Sequence, residues 1–458
     1  MGSASPNPPY RTFRDPSGSV EITPEGVFRT VHPAHAPDIL DFLASPLAHR
    51  LVAEDRLIPT EILRTDPDGT LHLRHPRVPF ASYPPEWPPT LWLAAADLTL
   101  DLCSDLVAEG WILKDATPLN VLFQGCSPVF VDLLSIQRLD PTRPLWFAYA
   151  QFVRTFLLPL LAHTEVGWPL QVAGTRRDGF LPAEIYAALP WHRSLRMPAF
   201  TAVTLPKLLS NTSTPTPTTG DPALTRKIIH DTLASLRKDI HHAAPPTDRD
   251  SSWSTYTQTA AHYSPEDHAA KAQFITEVLD ATLPAWVLDV GCNTGVYSKL
   301  AAEAGAHVIA IDVDTPAVNL LAETVRPTGE DILPLCVDLA FPTPATGWQN
   351  RETRSFLDRA TGHFDTVLML AVIHHMLLHD QIPLHQIAAL AASITTRNLI
   401  IEWVPPSDPK FVELLRGRET IYTHLTESAF REAFLQYFNV ARECTLSNGR
   451  IILHLTKR

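Results

Sequence analysis

Residues 287–295 read Val-Leu-Asp-Val-Gly-Cys-Asn-Thr-Gly, an apolar run that ends in a glycine-bounded loop. Glycine at such a place lets backbone N–H groups and a ligand approach closely. Asp312 follows Asp289 by 23 residues and ends the next apolar run, His307 to Asp312. A carboxylate there can accept hydrogen bonds from ribose hydroxyls. Asp338 ends a third run, 332–338, where its side chain can reach an adenine amino group. His374 and His375 directly follow a fourth run, and Glu402 and Trp403 end a fifth. Histidine has the near-neutral pKa that suits proton abstraction. Together these residues sketch a nucleoside-like ligand held beside a general base. Each also has a plainer reading: turn glycines, a helix-capping Asp312, a solvated Asp338, and histidines that cap a strand or pack.

The intervening segments say what positions them. Ser264-Pro265-Glu266-Asp267 is a helix start, with a serine cap, proline in the first turn and acids after it. From there strands alternate with helices. Strands are expected at 285–290, 307–312, 332–338, 364–372 and 398–404, and helices at 295–305, 315–325, 350–360, 380–396 and 426–435. This rhythm predicts a parallel sheet with helices on both faces, so every acid above lies at a carboxyl strand end. The chain's end breaks the rhythm: Asn448-Gly449 lies between two more strands and supplies the positive φ angles of a tight hairpin. The expected class is therefore α/β, a Rossmann-like sheet of seven strands whose last strand is antiparallel.

On these residues, 251–458 resembles a class I S-adenosylmethionine (SAM)-dependent methyltransferase. Asp289-Val-Gly291-Cys292-Asn293-Thr-Gly295 matches the family's first motif, with Asn293 at the central glycine. Asn tolerates left-handed backbone better than most residues. The resemblance implies SAM as cofactor and S-adenosylhomocysteine (SAH) as product. It implies cofactor contacts from Asp289, Gly291, Cys292, Asn293, Gly295, Asp312, Val313, Asp338, Leu339 and Leu370. A lid ahead of the first strand would add Tyr256 and Tyr263, with Trp253, His262 and Lys271 nearby. Methyl transfer is an in-line displacement that needs alignment and, for a hydroxyl or ammonium acceptor, a base. His374, His375 and Glu402 are the candidates. Arg416, Arg418 and Tyr422 could bind an acidic acceptor group, or be solvated.

The first half carries a second constellation. Asp115, Asn120 and Asp132 are spaced by five and twelve residues, with a helix expected at 91–109 before them and two short strands between and after. This stretch resembles the catalytic loop of a kinase-like fold, which implies ATP–Mg chemistry at these three residues. The departures are substantial. Leu133-Leu134 stands where a kinase has Phe-Gly, no glycine-rich loop precedes, and no lysine occurs before Lys114, so an arginine such as Arg29 or Arg74 would have to grip the phosphates. A degenerate kinase-like α+β domain that binds substrate or docks a partner is the favoured reading of 1–207. The segment 83–160 is also similar to the corresponding part of nodulation-type methyltransferases.

Composition bounds the rest. In 458 residues, 37 basic side chains against 49 acidic ones leave a charge of −12, which disfavours nucleic-acid and anionic-membrane partners. The first residues, MGSASPNPPYRTF, do not read as a secretory signal, and no apolar stretch approaches bilayer length. Five scattered cysteines without metal spacing read as reduced thiols of a cytoplasmic protein, and no metal site is expected. Residues 208–250 contain a Thr/Pro-rich run and a helix, read as a linker and connecting helix between 1–207 and 251–458. The expected protein is a SAM-dependent methyltransferase of a small-molecule or natural-product acceptor, forming a homodimer or docking a partner through its first domain. The alternatives are a kinase-like or bifunctional phosphotransferase, and a non-catalytic SAM-binding subunit.

Overall fold

The computed structural model describes residues 11–23, 25–208, 218–245, 264–415, 417–418 and 420–458. The chain divides into two compact units, Met1–Pro246 with Thr346–Thr353, and Thr247–Ala345 with Arg354–Arg458. No helix among the described residues is long and apolar enough to cross a membrane.

The first unit opens with an antiparallel sheet of β1 (Gly18–Thr23), β2 (Gly26–Val31), β3 (Glu61–Thr65) and β4 (Leu71–His75), in the order β1-β2-β4-β3. The helix Pro89–Ala108 buries thirteen of its twenty residues, the all-round burial that its Leu/Ala-rich sequence demands. After it, β5 (Trp111–Leu113) pairs with β8 (Ile136–Arg138), enclosing a hairpin of β6 (Val121–Gln124) and β7 (Ser127–Phe130). The helix expected to connect the two halves, Pro222–Ala243, instead packs into this unit. Its stripe of Ile229, Leu233, Leu236 and Ile240 is buried, and His230 reaches Ser104 on the helix Pro89–Ala108. An apolar stripe at helical spacing must find a covering surface, and the neighbouring helix supplies it.

The second unit is the expected α/β sheet. Its strands are β9 (Trp286–Val290), β10 (His307–Asp312), β11 (Ile332–Cys336), β12 (Phe364–Met369), β13 (Thr395–Trp403), β14 (Phe438–Thr445) and β15 (Ile451–Lys457). Their order is β11-β10-β9-β12-β13-β15-β14. The first five run parallel, and β15 runs antiparallel to both of its neighbours. The near-continuous burial of β9 to β12 is what a sheet covered on both faces requires. The strand order reverses at β9, whose two neighbours are β10 and β12. The crevice beyond the carboxyl ends of these strands is the ligand-binding place of such sheets. The helix Pro265–Thr282 begins as its sequence dictates, with Ser264 accepting a hydrogen bond from the Asp267 N–H.

Two details depart from the expectation. The fourth strand stops at Met369 and not at 372, and a short helix, Ile373–Leu378, begins after three intervening residues, so His374 and His375 lie on a helix past the strand end. Pro383 starts the next helix, which ends at Ile394, and β13 begins directly at Thr395.

Candidate active site

The glycine loop after β9 is shaped by three left-handed residues in alternation, Gly291 (φ +71°), Asn293 (φ +50°) and Gly295 (φ +82°). A Cβ on Gly291 would stand 2.5 Å from Val372 Cγ2, and one on Gly295 would stand 2.3 Å from Leu321 Cδ1. Both glycines are therefore demanded by space as well as by φ. Asn293 takes the left-handed conformation that its short polar side chain allows, so the loop survives without a central glycine.

Asp312 ties this loop to the end of β10. Its Oδ2 accepts the Asn293 N–H at 2.9 Å, and its Oδ1 accepts the Asp314 N–H at 2.9 Å. Burial pushes its carboxyl pKa up, against the pull of these backbone donors. Each oxygen keeps a further lone pair for a ligand hydroxyl. Asp289 lies deeper: it accepts the Ser298 hydroxyl at 2.6 Å, and burial raises its pKa to about 6. Asp338 is half-buried just after β11 and accepts the Ala340 N–H at 2.8 Å. Leu339 and Leu370 are buried, Val313 is exposed beside Asp312, and Cys292 is buried with its thiol pKa pushed well up by burial. The carboxyl ends of β9, β10 and β12 thus carry the motif residues at one edge of the sheet. Tyr256 and Tyr263, with Trp253, His262 and Arg416, lie outside the described residues.

The candidate bases differ from one another. His374 and His375 are neighbours with ring centroids 4.3 Å apart. Burial first, and then the neighbouring positive groups, hold both below the usual histidine range, His375 at about 4. Both rings are therefore neutral near pH 7. His374 is buried, whereas His375 is partly exposed.

Glu402 has no exposed surface. Its Oε2 accepts from Lys271 Nζ at 2.6 Å, and its Oε1 faces Arg450 Nη1 at 3.4 Å. Arg450 Nε in turn donates to Asp408 at 2.8 Å. Two cations and two carboxylates cancel inside this network, and Lys271 Nζ also lies 4.9 Å from the centre of the Tyr297 ring. Sequence reasoning noted Lys271 only as a neighbour of the lid and missed Arg450 and Asp408. Their positions, Arg450 after the Asn-Gly turn and Asp408 in a loop past β13, carry no local signal. Arg418 stands over the Tyr422 ring at 5.9 Å.

In the first unit, Asp132 accepts from Arg29 Nη1 at 2.9 Å and from the Ser135 hydroxyl at 2.6 Å. Asn120 donates its amide to the same Ser135 oxygen at 3.1 Å. Arg74 instead stands 3.8 Å from Glu61 on the outer strand. Among the described residues no group of three His, Cys, Asp or Glu side chains is arranged to hold a metal ion.

Residues 260–430 match the family of methyltransferase domains. Over 470 aligned residues the chain is 30% identical to the nodulation protein NoeA of Rhizobium meliloti, an alignment covering 98% of this chain and 95% of NoeA. A stretch of 97 residues, 20% of this chain and 30% of the relative, is 38% identical to the ribosomal protein L11 methyltransferase of Thermotoga petrophila. Among solved structures, magnesium protoporphyrin IX methyltransferase (ChlM) from Synechocystis PCC 6803 with bound SAH is 21% identical. That match covers 42% of this chain and 84% of the other, with a TM-score of 0.31.

Proposed function

We propose that this chain, which belongs to the family of the nodulation protein NoeA and carries a methyltransferase domain, methylates an oxygen or nitrogen of a small acceptor molecule. SAM is the cofactor, and it supplies an electrophilic methyl carbon on a sulfonium. The observation that carries the reading is the Asn293-to-Asp312 hydrogen bond, which fixes the glycine loop to the acid at the end of β10. Asp312 then offers its remaining lone pairs to the ribose hydroxyls, and Asp338 orients the adenine amino group. The two glycines let the loop backbone close onto Val372 and Leu321, and in this reading the methionine part of the cofactor lies along that loop.

His375 is the group we assign to the proton. Its ring is neutral near pH 7, partly exposed and directly past β12. In methyl transfer from bound SAM, an imidazole nitrogen of His375 would take the proton released by the acceptor. Glu402 keeps its charge engaged by Lys271 and Arg450, so we assign it the positioning of the site's floor rather than proton transfer. His374, buried beside His375, holds that ring in place. The first unit selects or presents the acceptor in this reading.

Radiolabelled methyl transfer from SAM to an acceptor mixture, with wild type and His375→Gln, tests the assignment. Loss of turnover with unchanged SAH affinity in the variant supports it. Wild type that binds SAH but transfers to no acceptor would favour a non-catalytic SAM-binding subunit.

A further inference from the structure

The first unit holds a charged cluster that the methyl transfer does not use. Arg29 lies on β2 and is nearly buried, 5% exposed at its side chain, and its guanidinium is spent on three partners. Nε donates to His75 Nε2 at 3.3 Å, Nη1 to Asp132 Oδ1 at 2.9 Å, and Nη2 to the Val131 carbonyl at 3.0 Å. Asp132 lies just past β7, 103 residues along the chain. Its second oxygen accepts the Ser135 hydroxyl, and Ser135 accepts the Asn120 amide. His75 completes the chain from the other side. With Nε2 accepting from Arg29, its ring proton lies on Nδ1, which faces the Pro59 carbonyl and the Thr60 hydroxyl. Burial and the Arg29 charge hold this histidine neutral.

A magnesium ion binds through carboxylate oxygens whose lone pairs face it, usually with substrate phosphates and retained waters. Here one oxygen of Asp132 faces the Arg29 guanidinium and the other accepts the Ser135 hydroxyl, so a divalent ion would have to share the carboxylate with a fixed cation. Asp115, the other acid of this stretch, is half-buried, and burial raises its pKa, with Lys114 opposing. Lys114 is itself engaged by Asp15 and Ser17. A guanidinium cannot be deprotonated in a protein, so its charge at Asp132 is permanent.

We propose that Arg29 is a built-in cation of this cluster, taking at Asp132 the place a divalent ion would need. The first unit is therefore a metal-independent scaffold and does not bind or turn over ATP–Mg. The pair pins β2 to the turn after β7, so the charge that would serve phosphate chemistry serves folding instead. The inference rests only on the first unit and stands or falls independently of the methyltransferase assignment.

The test is a titration of full-length protein with Mn2+ and Mn2+–ATP, read by electron paramagnetic resonance, on wild type, Arg29→Met and Arg29→Met/Asp132→Asn. Methionine keeps the apolar stem and removes the charge. Wild type shows no Asp132-dependent Mn2+ binding, and Arg29→Met gains affinity by about tenfold or more as Asp132 loses its fixed counter-charge. The double variant loses the gain. Wild-type Mn2+–ATP binding that disappears in Asp132→Asn overturns the proposal, as does a folded Arg29→Met protein with no gain. Should Arg29→Met fail to fold, the melting temperature of Asp132→Asn decides. A clear drop supports the ion pair, and an unchanged or higher value contradicts it.

Discussion

Lys271 and Glu402 meet at 2.6 Å across 131 residues of sequence, both buried, one on the helix ahead of the sheet and the other at the end of β13. The pair joins the helix Pro265–Thr282 to β13. With Arg450 and Asp408 it forms a network in which each charge has an opposite neighbour. Removing one member leaves a buried charge uncompensated, which costs about 3–5 kcal/mol. Glu402→Ala should therefore lower stability by that order in denaturant unfolding. Lys271→Met/Glu402→Leu, which removes both charges of the direct pair, should recover part of the loss, because Arg450 keeps Asp408 as a counter-charge. A Glu402→Ala protein of wild-type stability but without activity would show instead that Glu402 acts in the chemistry.

Gly291 makes a second prediction. Alanine there meets Val372 Cγ2 at 2.5 Å in a left-handed conformation. The backbone conformation alone costs about 1–2 kcal/mol for a residue with a Cβ. Gly291→Ala should weaken SAH binding more than it lowers the melting temperature, since the loop lines the cofactor site. Val372→Ala in the same chain should restore part of the affinity by removing the clashing methyl. Absence of any rescue would mean that φ rather than space dominates.

The pH dependence has a definite sign. Burial, with Arg29 for His75 and with His379, Lys410 and Arg450 for His375, lowers both histidines from 6.5 to about 4. The unfolded chain binds the protons that the fold refuses, so stability falls as pH drops from about 6.5 to about 4. Each shift is worth on the order of 3 kcal/mol at its limit. Asp289 works the other way. Its raised carboxyl, at about 6, costs stability above that pH, and the cost is relieved as pH falls toward 3.8. His374 is lowered too, and the three histidines together outweigh the raised carboxyls of Asp289, Asp312 and Asp115, so net stability should decline on acidification through this window. His75→Gln should flatten the decline by about one proton's worth in unfolding curves taken between pH 4 and 7. An unchanged slope would mean that His75 is not held neutral.

Turnover should show the same lowered base. With His375 at about 4, the acid limb of the kcat profile belongs well below the usual histidine range, provided the protein is still folded there. An acid limb centred near pH 6.5 would point to another, unperturbed histidine.

Much of the second unit was legible in its sequence because its signals are local. Apolar strand runs, the Ser264 cap and the Asn448-Gly449 turn each act within a few residues. The acids at strand ends could be placed for the same reason, since strand boundaries put Asp312 and Asp338 on one edge. The short helix Ile373–Leu378 was not legible, because six residues, two of them histidines, are too few to show a helical period. The Lys271–Glu402 and Arg29–Asp132 pairs were beyond reach for a different reason. Partners 131 and 103 residues apart leave no periodic trace, and only the fold decides which charges meet. Arg29 could be named as a substitute for a missing lysine, but its engagement of Asp132 could not. The helix Pro222–Ala243 was misplaced as a connector because an amphipathic stripe says that a helix packs, not against what.

The measurement that tests the central claim most directly is calorimetric titration of the full-length protein with SAH and SAM, alongside Asp312→Ala. Micromolar binding of both by wild type, lost in the variant, is the predicted result. Wild-type silence toward both ligands, or full affinity in Asp312→Ala, would contradict the account.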